Sequence, residues 1–165
     1  MGYNSPVNHL NAFDLIAEEF QRANIHCILI GGFALSFYKY SRQTGDLDLL
    51  ISEQDVAKAK KILEDAGYER QPSGEAFLQY KSTNPKFMHV DLLLVSKETF
   101  TGISQQAKQI RIVNQSFRIP SLEHMIVLKL HAVKNNPKGR EFTDIPDIIQ
   151  LVRLNDFAVK TEKFR

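Results

Sequence analysis

Only one cysteine, Cys27, occurs in the 165 residues, so no intrachain disulfide is available to staple the fold. No apolar run approaches the roughly 20 residues that a bilayer-spanning helix needs. The opening residues, MGYNSPVNHLNAF, lack the basic region and apolar core of a secretory signal. The expected placement is therefore the cytoplasm, with no membrane partner. There is no internal repeat, low-complexity tract or long linker. A large charge imbalance is missing too. With a formal net charge of +2, composition alone does not announce a nucleic-acid binder, and the basic lean after Lys129 is the ordinary character of a solvated face. What is present, 43% hydrophobic and 24% charged residues, suffices for a real core. The length suggests one domain, with residues 1–120 as a sheet core and 121–165 as its helical part. Cys27 lies in the apolar run CILI and reads as a small core residue.

Periodicity places the elements. Phe13, Ile16, Ala17 and Phe20 recur at helical spacing, which predicts an amphipathic helix from about Leu10 to Arg22. Ile25–Ile30 reads as a buried strand ending at Gly31-Gly32, and a helix should follow through FALSFYKY. Asp46–Ile51 is the next strand. Ser52 and Asp55 suggest a capping box for a helix with Val56, Ala59, Leu63 and Ala66 inward, stopped by Gly67. Short strands are expected around Tyr68–Arg70 and Phe77–Tyr80, and Phe87–Val95 is the strongest strand signal in the chain. Gln109–Val113 and Phe117–Ile119 flank Asn114-Gln115 as a candidate hairpin. Ser121 can cap a helix to about Lys134 with Leu122, Met125, Ile126, Leu130 and Val133 inward. After a loop at NNPKG, Pro146 fits the first turn of a last helix carrying Ile148, Ile149 and Val152. This order implies an α/β (α+β) fold, a mixed sheet with flanking helices and a helical C-terminal half.

The stretch GGFALSFYKYSRQTGDLDLLI carries the chemistry. Strand side chains alternate, so Asp46 and Asp48 point to one face. Two ionised carboxylates beside Leu49, Leu50 and Ile51 are costly unless a cation lies between them. Hard dications such as Mg²⁺ take one or two carboxylates plus substrate phosphates. Asp91 interrupts a second apolar strand in the same way. If the two strands are neighbours, the three carboxylates can converge on one or two metal ions. Each feature alone has a bland explanation: surface strands often alternate charge, and a lone strand aspartate protects an edge. The Gly31-Gly32 turn adds backbone N–H groups suited to phosphate. Arg42 and Thr44 add a guanidinium and a hydroxyl just before the carboxylates. The combination points to metal-assisted phosphoryl or nucleotidyl transfer.

Gly31-Gly32, Asp46-x-Asp48 and the later strand Asp91 resemble the nucleotidyltransferase fold superfamily related to DNA polymerase β. More narrowly, the GG-x-A-L and R-x-T-x-D-x-D-L segments resemble small bacterial proteins of the AbiEii toxin type. The resemblance implies that Asp46, Asp48 and Asp91 hold two Mg²⁺ ions (Mn²⁺ being an alternative) and that Gly31-Gly32 holds phosphates of an NTP. Asp91 would also assist the acceptor hydroxyl. It further implies that Lys129 in VLKLHAVK, with Arg140, Asp144 and Asp147 of REFTDIPDI, completes the nucleotide site, Thr143 replacing the usual lysine. The residues themselves also fit plainer roles: helix capping for Asp144 and Asp147, a snorkelling stem for Lys129. His89 shares the strand face of Asp91 and reads more readily as a rim residue. Ser36, Phe37, Tyr38 and Tyr40 read as packing.

The expected activity is transfer of NMP from an NTP to a hydroxyl acceptor, with release of pyrophosphate. RNA, a protein hydroxyl or a small molecule such as an aminoglycoside or lincosamide are the acceptor classes. The alternative is a catalytically silent nucleotide- or RNA-binding member, or a toxin–antitoxin component regulated by an antitoxin partner.

Overall fold

A computed structural model of the chain describes residues 8–135, 139 and 142–157. Most of the expected NNPKG loop, Arg140, and the chain after Phe157 lie outside them. The first helix, α1 (Ala12–Arg22), starts where the Asn11 side chain accepts the Asp14 N–H at 3.0 Å, an N-cap that satisfies an otherwise orphan donor. Strand β1 (Cys27–Ile30) turns at once into the short helix α2 (Gly31–Leu35), continued by a 3₁₀ turn at Ser36–Tyr38. The single longer helix expected through FALSFYKY is thus cut short, and Lys39, at φ 64°, takes the chain out of it.

Then come β2 (Asp46–Ser52), α3 (Val56–Asp65), β3 (Tyr68–Gln71), β4 (Phe77–Ser82) and β5 (His89–Val95). The Ser52 side chain accepts from the Gln54 N–H, not that of Asp55, and so caps a 3₁₀ turn leading into α3. A further helix, α4 (Lys97–Gln105), was not among the expected elements. It is followed by the hairpin β6 (Lys108–Ile112) and β7 (Gln115–Ile119), and by α5 (Leu122–Asn135) and α6 (Asp144–Leu154).

The five-stranded sheet has the order β1-β2-β5-β4-β3. Only β2 and β5 are parallel, so the sheet is mixed as expected. Because side chains alternate, the register divides the residues cleanly between two faces. One face presents Leu29, Leu47, Leu49, Ile51, Leu78, Tyr80, Val90 and Leu92, packed with α1 and α3 into the main core. Fully burying one such Leu or Ile is worth roughly 1.5–3 kcal/mol, and these contacts anchor the sheet.

The other face is divided along its length. One end is apolar: Ile28 and Leu50 meet Phe100 and Ile103 of α4. The other end carries Asp46, Asp48 and Asp91, with α5 beside it. Leu130, expected inward, is 44% exposed, whereas Lys129 is only 8% exposed. The buried stripe of α5 therefore runs through Met125, Ile126 and a lysine. Among the described residues no helix is long and apolar enough to cross a membrane.

Candidate active site

Asp48 lies directly opposite Asp91 in the parallel β2–β5 pair, and Asp46 lies opposite His89. All four side chains share one face of the sheet. The three aspartates line a cleft of ≈ 350 Å³ between this face and α5, together with Gly31, Arg42, Thr44, Lys129 and Asp144. His89 stands outside the cleft lining, with Nδ1 3.9 Å from an Asp46 oxygen.

The glycine pair brings the start of α2 close to the carboxylates. Ile30 is the register partner of Asp48, so the next residue passes over that side chain. Gly31 has φ +72°, and a Cβ built on it would stand 2.1 Å from Asp48 Oδ2. Gly32 lies behind it, outside the cleft lining; its Cβ would stand 2.6 Å from Thr44 Cβ. Both positions thus need glycine for close approach, the first for its backbone angle as well. Thr44 donates its hydroxyl to the Asp46 carbonyl at 3.3 Å, bracing the entry to β2.

The cations of the cleft are held from behind. Arg42 donates through Nε and Nη2 to the two oxygens of Asp147, both at 3.1 Å. Lys129 Nζ donates to Asp144 Oδ1 at 3.0 Å and to Asp147 Oδ2 at 2.9 Å. Asp147 is 1% exposed and Asp144 3%, so this is a buried network joining the loop before β2 to both α5 and α6. From sequence Asp147 reads either as a helix cap or, by resemblance, as part of the nucleotide site; in the fold its side chain meets Arg42 and Lys129. Nearby, the Tyr38 hydroxyl donates to the Pro120 carbonyl, and burial pushes its pKa up to about 12. Sequence reasoning also passes over Gln79, the cross-strand partner of Asp91, and over Phe77, Leu93, Met125 and Leu128, which with Ile30 and Ala132 form the apolar part of the lining.

The anionic groups lining the cleft are carboxylates, with no thiol or imidazole among the described lining residues, a donor set suited to a hard dication. Among the described residues, no group of three His, Cys, Asp or Glu side chains converges as a ready-made metal cage. The spacing explains it. Asp46 stands two residues along the strand from Asp48, at about 3.3 Å rise per residue, whereas Asp48 and Asp91 sit on strands about 4.8 Å apart. Such a set suits ions that complete their shells with phosphate oxygens and water.

The chain belongs to the family described as "Uncharacterised nucleotidyltransferase", matched over residues 5–164. Solved structures agree at the level of the fold. The antibiotic-resistance factor ANT(2'')-Ia superposes with a TM-score of 0.61 at 16% identity, over 86% of this chain and 78% of its own. An antigenic nucleotidyltransferase-like protein from Paracoccidioides brasiliensis gives 0.56 at 22% identity, over 85% and 73%. The lincosamide antibiotic adenylyltransferase LnuA, with lincomycin bound, gives 0.54 at 15% identity, over 80% and 90%. At these identities the likeness shows the fold alone. Comparison with curated proteins yields no match.

Proposed function

We propose that the protein is a metal-dependent nucleotidyltransferase that moves NMP from an NTP to a hydroxyl acceptor. The observation that carries this reading is the placement of Asp46, Asp48 and Asp91 on one face of adjacent strands, opposite Arg42 and Lys129 across one cleft. Asp46 and Asp48 would hold Mg²⁺ together with the triphosphate, and Asp91 would share an ion with Asp48, its neighbour in register. Bound there, two Mg²⁺ ions would neutralise charge on the entering and leaving oxygens of the displacement. Mn²⁺, another hard dication, would fit the same donors.

Arg42, Lys129 and the backbone at Gly31-Gly32 supply positive groups for the phosphates, Thr44 braces the loop, and Asp144 orients Lys129. In the reaction the acceptor oxygen forms a bond to the α-phosphorus and the bond to the β-phosphate oxygen breaks. Pyrophosphate leaves, and the acceptor proton passes towards the Asp91 carboxylate. Asp91 lies between Asp48 and Gln79 across the sheet, and an acceptor served by Asp91 would approach from the β4 side. The acceptor classes are RNA, a protein hydroxyl or a small molecule such as an aminoglycoside or lincosamide, in a cytoplasmic protein that an antitoxin partner would regulate if it is of the AbiEii type.

Isothermal titration of the four NTPs with Mg²⁺ tests the reading, on wild type and on Asp46→Ala/Asp48→Ala. Metal-dependent binding that disappears in the double variant is the expected result and identifies the preferred base. Absence of NTP binding by wild type, or binding that survives the double substitution, replaces this reading with that of a silent binding member of the fold.

A further inference from the structure

The Asp147 carboxylate stands behind the cleft. It does not line the cleft, it is 1% exposed, and it binds Arg42 and Lys129, two cations that do line it. Arg42 Nη2 and Lys129 Nζ donate to the same oxygen, Oδ2. Two cations that close repel each other, and a shared anion removes that cost. The network also leaves donors over. Of the five N–H donors of a guanidinium, Asp147 takes one from Nε and one from Nη2; of the three on an ammonium, Asp144 and Asp147 take two. The remaining donors belong to side chains that border the cleft.

We propose that Asp147 is a positioning residue of the nucleotide site: it holds Arg42 and Lys129 side by side so that their unused N–H groups meet adjacent phosphates. This inference rests on the nucleotidyltransferase reading above. Asp147 acts only through the two cations and touches no ligand. It also pins the loop ahead of Asp46, because Arg42 is the side chain by which that loop reaches α6.

The test is calorimetric titration of ATP and of inorganic tripolyphosphate, each with Mg²⁺, into wild type, Asp147→Asn, Arg42→Gln and the double variant, with a melting curve for each. Asn at 147 loses the charge shared by the two cations, so both ligands should bind about tenfold more weakly, a loss typical of one charge-assisted contact. The double variant should bind no more weakly than Arg42→Gln alone beyond the share carried by Lys129, so the two losses fall well short of multiplying.

Unchanged binding in a folded Asp147→Asn protein overturns the proposal, as do two losses that multiply in full. Where Asp147→Asn fails to fold, Asp147→Glu serves, since it keeps the shared charge but shifts it away from where Arg42 and Lys129 meet it. A similar loss supports positioning by Asp147, and unaltered binding overturns it. Failure of wild type to bind any of the four NTPs with Mg²⁺ overturns the nucleotidyltransferase reading and this proposal together. Wild-type binding without an Asp147 effect overturns only the latter.

Discussion

Gly31 is the residue at which backbone conformation and site chemistry meet. Its φ of +72° is left-handed, a region that side chains with a Cβ enter only at a cost, and the added atom would stand 2.1 Å from Asp48 Oδ2. Alanine there cannot be accommodated without displacing the carboxylate, because Asp48 is fixed by its place in β2 between Ile30 and Asp91. We expect Gly31→Ala to cost about 1–3 kcal/mol of stability through backbone strain and to weaken Mg²⁺-dependent NTP binding at least tenfold, on the order of one lost charged contact. Melting curves and titration on the same preparation check both. A variant that binds nucleotide like wild type would show that Asp48 has room to spare. The double glycine is legible in the sequence as a tight turn whose backbone N–H groups would suit a phosphate. The collision with Asp48 is not, because it depends on the pairing of β1 with β2, which no local pattern prints.

At the scale of elements, the hairpin β6–β7 shows how a correct element can be displaced by one residue. The sequence suggests a turn at Asn114-Gln115, after the preference for asparagine in tight hairpins. In the fold β7 already begins at Gln115 and the two connecting residues are Val113 and Asn114, with φ 50° and 64°. Ile112 pairs with Gln115, and this register buries Phe117 and Ile119. Burial of these two side chains fixes the register and leaves a β-branched residue in the left-handed region, where it is strained. Val113 is 47% exposed, so little packing is lost on replacing it. Val113→Asn should therefore stabilise the protein by about 1 kcal/mol, raising the melting temperature by roughly 2–4 °C. A lower melting temperature would mean that Val113 contributes contacts outweighing its strain. Helix α4 was missed for a different reason. Its signal is only the Ser96 cap and the pair Phe100 and Ile103, short of the longer stripe that identifies α1.

Across the whole molecule, what the sequence hides is long-range. The fold class was readable from alternation and order of elements, and the three aspartates from their intrusion into apolar strands. The Arg42–Asp147 fork joins residues 105 positions apart, so neither partner advertises the other. A second long-range property has a measurable consequence. Burial pushes the Cys27 thiol up from 9.0 to about 12, although Arg118 works in the opposite sense, and pushes the Tyr38 and Tyr68 hydroxyls up from 10.0 to about 12. Tyr38 and Tyr68 also donate to the backbone carbonyls of Pro120 and Met88, which a phenolate cannot do.

In the unfolded chain these groups lose their protons near pH 9–10, whereas the folded protein keeps them to about 12. The folded state therefore binds more protons across that window, and stability must fall as pH rises through it. Below pH 9 the contribution is complete. Urea-unfolding midpoints measured from pH 8 to 12 should be level to about 9 and then decline, and Tyr68→Phe should soften the decline while lowering the plateau through the lost bond at Met88. Midpoints level to pH 11.5 would mean that these three groups are open to solvent, and that the packing of β1, β3 and the turn after α2 is looser than described.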